Sequence, residues 1–155
     1  MNKEEGMHQV YLGLGSNLGD RKANIERAIT LIDEQVGQVV RRSSLIETEP
    51  WGFASENRFL NAVVCCETDK APREVLLTTQ QIERTMGRKR KSVAVDPKPS
   101  AKSQVPKALY SDRPIDIDIL LYDDLTVDEP GLKIPHPLMH ERDFVMIPLK
   151  EIYNN

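Results

Sequence analysis

The chain contains, at residues 113–121, the stretch RPIDIDILL, in which isoleucine alternates with aspartate. A period of two is typical of a β-strand, because successive strand side chains point to opposite faces. Asp116 and Asp118 are therefore expected on one face and the neighbouring isoleucines on the other. Two carboxylates about 5 Å apart repel each other by about 3 kcal/mol at an effective dielectric constant of about 20. The pair either lies on a solvated face or is neutralised, and such oxygen ligands suit Mg²⁺ together with substrate phosphates.

The remainder of the chain alternates strand-like and helix-like segments. Strands are predicted at residues 8–14, 38–48 and 58–68, a short strand or turn pair at 125–135, and helices at 21–36, 72–86 and from about 139. Asp20 is a suitable N-cap for the first helix, and Gly37 and Gly87 end the first and second helices. With the aspartate strand, the order β-α-β-β-α-β is that of the split βαβ, ferredoxin-like plan. We therefore predict an α+β fold: an antiparallel sheet with helices packed on one face and long mobile loops.

The composition is that of a globular domain and argues against several classes of protein. A length of 155 residues suits one core, so we expect residues 1–155 to form a single domain. The net charge of -3 lacks the basic excess of a nucleic-acid-binding protein. No apolar run reaches membrane-spanning length, and the N-terminus has no apolar signal core. The adjacent Cys65 and Cys66 lack metal-site spacing. We expect a reduced cytoplasmic protein without nucleic-acid, membrane or obligate protein partners.

Residues 88–107 are rich in lysine, proline and serine and show no apolar period. A connection this long within a domain is usually a mobile lid or a disordered segment. It begins with Arg88, Arg90 and Lys91, and Arg113 immediately precedes the aspartate strand. A solvated basic run is one interpretation; the other is a polyphosphate site, with metal on one side and guanidinium groups on the other. Phosphoryl transfer needs mainly positioning and charge stabilisation, which such groups supply.

A second candidate site combines polar and aromatic residues, namely Thr48, Trp51, Phe59, Asn61 and Phe144. Two aromatic rings can enclose a flat heterocycle, and each stack adds about 0.5–1.5 kcal/mol beyond area burial. An asparagine can both donate and accept hydrogen bonds, as the edge of a pterin or purine requires. Taken alone, the two phenylalanines are more typical of an ordinary core than of a ligand site.

Two further features are less specific. The run GLGSNLGD at residues 13–20 is one residue too long for the dinucleotide fingerprint, so its glycines are expected to allow close packing against a ligand or a loop. His136 lies between two prolines that stiffen its backbone. It is compatible with a phosphate or nucleotide contact and with a plain loop histidine.

Several short motifs follow one another along most of the chain. They are LGSNLGD at residues 14–20, T-x-P-W-G at 48–52, FLNA at 59–62, Q-x-x-E-x-x-x-G-R at 80–88, R-x-I-D-I-D at 113–118 and P-H-P-x-M-x-x-R-x-F at 135–144. Taken together, and in this order, they resemble the 6-hydroxymethyl-7,8-dihydropterin pyrophosphokinases of folate biosynthesis. The resemblance extends from about residue 10 to residue 152.

This resemblance implies a reaction. The chain would transfer a pyrophosphoryl group from ATP to the hydroxymethyl oxygen of 6-hydroxymethyl-7,8-dihydropterin and release AMP. It would be an ATP-dependent diphosphokinase whose partners are ATP and the reduced pterin. Two Mg²⁺ ions, bridging the ATP phosphates, would be held by Asp116 and Asp118. The mobile loops of the family map to residues 48–57 and 88–112.

The resemblance also implies a set of site residues. The catalytic groups would be Arg88, Arg113, Asp116 and Asp118. The residues that bind ATP would be Gln80, Glu83, Arg88, Arg90, Lys91, Arg113, His136 and Arg142. The residues that bind the pterin would be Thr48, Trp51, Phe59, Asn61, Phe144 and Asp116. The chain departs from the family at Pro137, where a tyrosine commonly follows the histidine.

Two other functions are compatible with parts of the pattern. A non-catalytic ferredoxin-like module that senses a nucleotide would explain the fold and the basic residues, but it gives the paired carboxylates no role. An RNA-binding sheet of the RRM type is disfavoured by the few sheet aromatics, the lack of an RNP-like run and the acidic balance. Release of AMP from ATP only when the reduced pterin is present would distinguish the enzyme from both.

Overall fold

The computed structural model describes residues 7–48, 58–87, 114–137 and 139–153. The loops expected at 48–57 and 88–112 lie outside these ranges except for Thr48. The strands are β1 (His8–Ser16), β2 (Gln38–Arg42), β3 (Ile46–Thr48), β4 (Phe59–Thr68), β5 (Asp116–Tyr122), β6 (Val127–Glu129) and β7 (Leu132–Ile134). The helices are α1 (Arg21–Gln35), α2 (Pro72–Thr85) and α3 (Asp143–Tyr153), and a short 3₁₀ helix (Met139–Glu141) precedes α3.

The main sheet has the strand order β2-β4-β1-β5, with β3 also paired to β4. Every one of these pairs is antiparallel. The predicted α+β fold with a ferredoxin-like antiparallel sheet is therefore confirmed. The predicted strand at 38–48 is divided into β2 and β3, because Ser43 interrupts the regular ladder. Its hydroxyl accepts a hydrogen bond from the Val63 amide at 2.9 Å, while its own amide donates to the Val63 carbonyl at 2.9 Å.

Side chains anchor the connection from β1 to α1. Asp20 caps the helix as predicted, since its carboxylate accepts a hydrogen bond from the Ala23 amide at 3.1 Å. The Asn24 side chain donates to the Ser16 hydroxyl at 3.2 Å and to the Leu18 carbonyl at 2.8 Å. These bonds hold the end of β1 against the first turn of α1.

Two apolar clusters lie on opposite faces of the sheet. The cluster shared with α1 and α2 uses the strand residues Val10, Leu12, Leu14, Ala62, Val64, Cys66, Ile117 and Ile119. The cluster shared with α3 uses the strand residues Tyr11, Val63, Cys65 and Leu120. The expectation of helices on one face is therefore correct for α1 and α2 and wrong for α3. The apolar period of α3 defines its buried side, but it carries no information about which sheet face that side covers.

The adjacent cysteines follow the same alternation. Cys65 packs on the α3 face and Cys66 on the α1 and α2 face, and both are fully buried free thiols. Burial raises the pKa of the Cys66 thiol to about 12 and also raises the pKa of Cys65. The thiolate is the reactive form, so both side chains serve as small apolar core residues at neutral pH.

The C-terminal end of α3 is fixed to the sheet by two polar side chains. The Arg41 Nε donates to the Ile152 carbonyl at 3.1 Å, and the Tyr11 hydroxyl donates to the Tyr153 carbonyl at 3.3 Å. Arg41 also donates to the Tyr11 hydroxyl at 2.9 Å. The last carbonyls of a helix have no partner within the helix, so a guanidinium at this end both caps it and complements its dipole. In the described part of the chain, no helix is both long and apolar enough to span a bilayer.

Gly37 provides a test of the packing between α1 and the sheet. A Cβ atom at this position would overlap with the Glu67 carbonyl oxygen, a backbone atom that cannot rotate away. We therefore expect Gly37→Ala to lower the free energy of unfolding by about 3 kcal/mol, as for a severe overpacking change. Denaturant unfolding monitored by circular dichroism measures this loss.

Gly131→Ala is the matched control. Gly131 has a φ of 76°, and nothing lies within 4 Å of an added Cβ, so only the conformational cost remains. That cost is about 1 kcal/mol. An equal or smaller loss for Gly37→Ala than for Gly131→Ala would contradict the assigned close approach.

Candidate active site

The centre of the α3 face of the sheet is a strip without side chains. It is formed by Gly13 and Gly15 on β1, and we call these two residues the glycine floor. Across β5, Gly15 pairs with Asp116 and Gly13 pairs with Asp118. On the other side, Gly15 pairs with Asn61 of β4. The glycine floor therefore separates two carboxylates from a carboxamide on the same sheet face.

The tolerance for a side chain differs at the two floor positions. A Cβ at Gly15 would lie 3.2 Å from the Asn61 Oδ1 and 3.4 Å from the Phe59 Cδ1. A Cβ at Gly13 would meet the Leu120 side chain at 3.4 Å, an ordinary contact distance. The space above Gly15 is thus bounded on the β4 side by an amide oxygen and an aromatic ring, groups that suit the edge and face of a heterocycle.

The alternation predicted for β5 is confirmed. Ile115 is 0% exposed and Ile117 is 2% exposed, both in the core. Asp116 and Asp118 are half-buried on the opposite face. Their neighbours on β1 are glycines. The Leu120 side chain covers Gly13, so the room for a ligand lies above Gly15, beside Asp116. In the described ranges, no group of three or more histidine, cysteine or acidic side chains could hold a metal ion.

His136 is brought to Asp118 by backbone pairing. Its amide donates to the Leu120 carbonyl at 3.1 Å, which holds the segment after β7 along the outer part of β5. Its Nε2 lies 4.0 Å from the Asp118 Oδ2, and both side chains are partly shielded from solvent. The imidazole and the carboxylate therefore face the same small region of the sheet.

Asn61 is oriented by its neighbours on β3. Its Nδ2 donates to the Thr48 hydroxyl at 2.8 Å and to the Ile46 carbonyl at 3.3 Å. The other side-chain atom, Oδ1, is consequently turned toward Gly15. Asn61 is 4% exposed and Phe59 is 9% exposed, so both side chains are held by packing as well as by hydrogen bonds. The predicted group of Thr48, Phe59 and Asn61 is thus assembled by the structure.

A second pair of predicted residues meets at the start of α3. The Arg142 guanidinium carbon lies 5.6 Å from the centroid of the Phe144 ring, within the range of a cation–π contact. Phe144 is half-buried at the margin of the α3 cluster. Arg142 immediately precedes α3, so the docking of that helix positions both side chains.

Glu83 and Gln80 lie on α2, one helical turn apart. Gln80 is half-buried, whereas Glu83 is 2% exposed. The Glu83 Oε2 accepts a hydrogen bond from the Ile117 amide at 2.7 Å. The predicted nucleotide residue is therefore attached to the strand that carries the two aspartates. No sequence pattern could have indicated this contact, because it depends on where α2 crosses the sheet.

The remaining predicted site residues are Trp51, Arg88, Arg90, Lys91 and Arg113, and all of them lie outside the described residues. The glycine floor was not among the predicted site residues, because the sequence placed Gly13 and Gly15 in or beside a turn-rich connection. The structure continues β1 to Ser16. The usable signal was the spacing of two between the glycines, which removes the side chains from one face of a strand.

The sequence of this chain matches one family model and several known proteins. The sequence model of the family described as 7,8-dihydro-6-hydroxymethylpterin-pyrophosphokinase (HPPK) matches residues 11–154. A 2-amino-4-hydroxy-6-hydroxymethyldihydropteridine pyrophosphokinase of Porphyromonas gingivalis is 44% identical over 144 residues, which cover 92% of this chain and 89% of the relative. The protein of the same name from Aquifex aeolicus is 38% identical, covering 96% of this chain and 82% of the relative.

Solved structures show the same fold. The chain superposes on the wild-type HPPK-DHPS of Plasmodium falciparum, crystallised with pterin and p-hydroxybenzoate, with a TM-score of 0.66. The match covers 94% of this chain and 38% of that longer one, at 17% identity. At this identity the likeness supports the fold, and the sequence relatives above support the family.

Proposed function

This chain belongs to the 7,8-dihydro-6-hydroxymethylpterin-pyrophosphokinase family, and we propose that the face around its glycine floor is the active site. The activity is pyrophosphoryl transfer in folate biosynthesis, and ATP is the co-substrate. The hydroxymethyl oxygen of the pterin bonds to the β-phosphorus of ATP, the bond from that phosphorus to the oxygen bridging to the α-phosphate breaks, and AMP leaves. The hydroxyl proton is lost in the same step. We take residues 1–155 as one domain, which the extent of the family match supports.

One observation carries the assignment of the site. Asp116 and Asn61 flank Gly15 from opposite sides, with Asp118 and His136 next to them on the β5 side. The reaction needs a phosphate region and a heterocycle region close enough for a hydroxyl group to reach the β-phosphorus. The carboxylates suit the first, and the amide with its aromatic neighbour suits the second.

Asp116 and Asp118 are proposed to hold two Mg²⁺ ions together with the ATP phosphates. Their oxygen donors fit magnesium, which commonly binds through one or two carboxylates and substrate phosphates rather than in an all-protein cage. Gly15 leaves space beside Asp116, and Asp118 lies on the same face of β5, which fits the same assignment. When bound, the ions would neutralise phosphate charge and orient the reacting oxygens.

The pterin is proposed to lie over the glycine floor. Asn61 would accept a hydrogen bond from the heterocycle through Oδ1, since its Nδ2 is occupied by Thr48 and the Ile46 carbonyl. Phe59 and Phe144 would contact the ring system. Trp51 and Asp116, which the resemblance also assigns to the pterin, belong to the same proposed subsite.

ATP is proposed to bind on the β5 side, where the elements carrying its predicted contacts converge. His136 would reach a phosphate, since its imidazole already faces Asp118. Gln80 and Arg142 are the other candidates within the described residues, and Glu83 lies one helical turn from Gln80 with its Oε2 on the Ile117 amide. Arg88, Arg90, Lys91 and Arg113 are proposed to supply the cationic groups that stabilise charge as AMP departs.

The metal proposal predicts the behaviour of two isosteric variants. Asp116→Asn and Asp118→Asn retain side-chain volume and remove one ligand charge each. We expect turnover to fall on the order of 10²–10³-fold in each, comparable with the loss of a preorganised electrostatic group. Pterin-dependent release of AMP from ATP, measured across a series of Mg²⁺ concentrations, reports the change.

Asp128→Asn, on the exposed β6 strand, is the control and should leave turnover unchanged. Unaltered turnover and Mg²⁺ dependence in both site variants would refute the assignment.

The pterin proposal predicts the effect of filling the floor. Gly15→Ala places a methyl group against the Asn61 Oδ1 and the Phe59 ring. The methyl group enters the space proposed for the pterin and displaces the Asn61 oxygen. We expect a loss of about 1.4 kcal/mol of binding free energy, in the range of one hydrogen bond, which raises the pterin KM about tenfold. The KM for ATP should change little, because the methyl group lies on the β4 side. Steady-state kinetics with each substrate varied in turn measure the two constants. A rise confined to the ATP constant would place the pterin elsewhere.

A further inference from the structure

We infer that Glu83 is a positioning residue that fixes the spacing of the two aspartates by holding the amide between them. The inference rests on the proposed metal-binding role of Asp116 and Asp118. It differs from a direct contact between Glu83 and ATP, because the carboxylate acts here through the backbone of β5.

The Ile117 amide points to the outer side of β5. Its residue pairs with Leu14 of β1, between the pairs formed by Asp116 and Asp118 with the glycine floor. The amide donates to the Glu83 Oε2 at 2.7 Å and therefore does not serve the ladder to β1. Among the described strands, β5 is the last in the order and has only β1 as a neighbour. Glu83 thus supplies the acceptor that a further strand would supply, at the rung between the two carboxylates.

Burial makes this contact specific. Glu83 and Ile117 are each 2% exposed. A carboxylate this deeply buried is costly unless it is strongly hydrogen-bonded, and a charge-assisted bond from a backbone amide is of the strong kind. Met or Leu would fill the same volume on α2 without that cost. The carboxylate is therefore better explained by what it holds than by packing.

Holding this amide constrains both aspartates. The Ile117 amide belongs to the peptide plane that begins at Asp116, and the next peptide plane leads to Asp118. An edge strand with one strand partner can twist or shift, and the His136 amide holds the outer edge of β5 further along, at Leu120. The register of β5 is already irregular there, since the pairing with β1 shifts between Tyr11 and Leu12. Fixing the central rung keeps the two carboxylates at a constant separation on the site face. Sites for Mg²⁺ demand such constancy, because the ion requires near-ideal geometry.

The test compares two substitutions at one position. Glu83→Gln keeps an acceptor oxygen and the side-chain shape, whereas Glu83→Met keeps the length and removes the acceptor. Thr79→Val is the control: Thr79 is equally buried on α2, and its hydroxyl bonds only within the helix, to the Leu76 carbonyl at 2.9 Å, in the contacts the structure describes. Three quantities are measured: the Mg²⁺ concentration for half-maximal turnover, the hydrogen-exchange rate of the Ile117 amide in the ligand-free protein, and the affinity for a non-hydrolysable ATP analogue with and without Mg²⁺.

For Glu83→Met we expect the Mg²⁺ requirement to rise about tenfold and the Ile117 amide to exchange at least tenfold faster. Analogue affinity should fall with Mg²⁺ present and stay unchanged without it. Glu83→Gln should restore most of each quantity, and Thr79→Val should leave the Mg²⁺ requirement unchanged. If Glu83→Met does not fold, Glu83→Gln carries the test. Faster exchange of the Ile117 amide in Glu83→Gln, together with a smaller rise in the Mg²⁺ requirement, then supports the inference.

Two results would overturn the inference. One is an unchanged Mg²⁺ requirement in a folded Glu83→Met protein, or in Glu83→Gln where Ile117 exchange is accelerated. The other is an equal loss of analogue affinity with and without Mg²⁺, which identifies Glu83 as a direct nucleotide contact. Both differ from failure of the proposed site, in which Asp116→Asn and Asp118→Asn would leave turnover and Mg²⁺ dependence unaltered.

Discussion

The antiparallel pairing of β1 with β5 determines the position of the groups proposed to act in the reaction. It places Asp116 beside Gly15 and Asp118 beside Gly13, so each carboxylate faces a residue without a side chain. A shift of this register by one residue would turn the aspartates into the apolar core and the isoleucines onto the site face. The burial of Ile117 therefore specifies the orientation of the carboxylates. The alternation of isoleucine and aspartate along β5 supplies the apolar core on one face and the polar site on the other.

The sheet divides its two faces between stability and chemistry. The face covered by α1 and α2 is a continuous apolar core, whereas the other face is only partly covered by α3. That helix packs on Tyr11, Val63, Cys65 and Leu120, and its far end is secured by Arg41. The site groups occupy the part of the same face beyond these contacts. Because Phe144 lies in the first turn of α3, the docking that stabilises the helix also sets one boundary of the proposed pterin subsite.

Much of the fold could be predicted from the sequence, because its local patterns are unambiguous. The alternation in β5, the cap at Asp20 and the order of elements all led to the observed α+β sheet. Two features were missed for physical reasons. Glycine, serine and asparagine favour turns in isolation, yet Gly15 and Ser16 extend a central strand. Gly15 pairs with both β4 and β5, and Ser16 pairs with β4. The sheet face that α3 covers depends on tertiary packing. The apolar period of a helix identifies its buried side but not the sheet face on which that side packs.

The candidate site shows the same division between pattern and packing. Residue type alone indicated that Asp116, Asp118 and Asn61 were chemically suited to phosphate, metal and heterocycle. Their arrangement around Gly15 needed the register of three strands. The bond from the Ile117 amide to Glu83 needed in addition the position of α2. A buried carboxylate is therefore ambiguous in a sequence motif, since the same side chain can contact a ligand directly or hold the strand that does. Only the hydrogen-bond partner of the carboxylate distinguishes these two roles. Here one oxygen of Glu83 accepts a hydrogen bond from the backbone amide between the two aspartates.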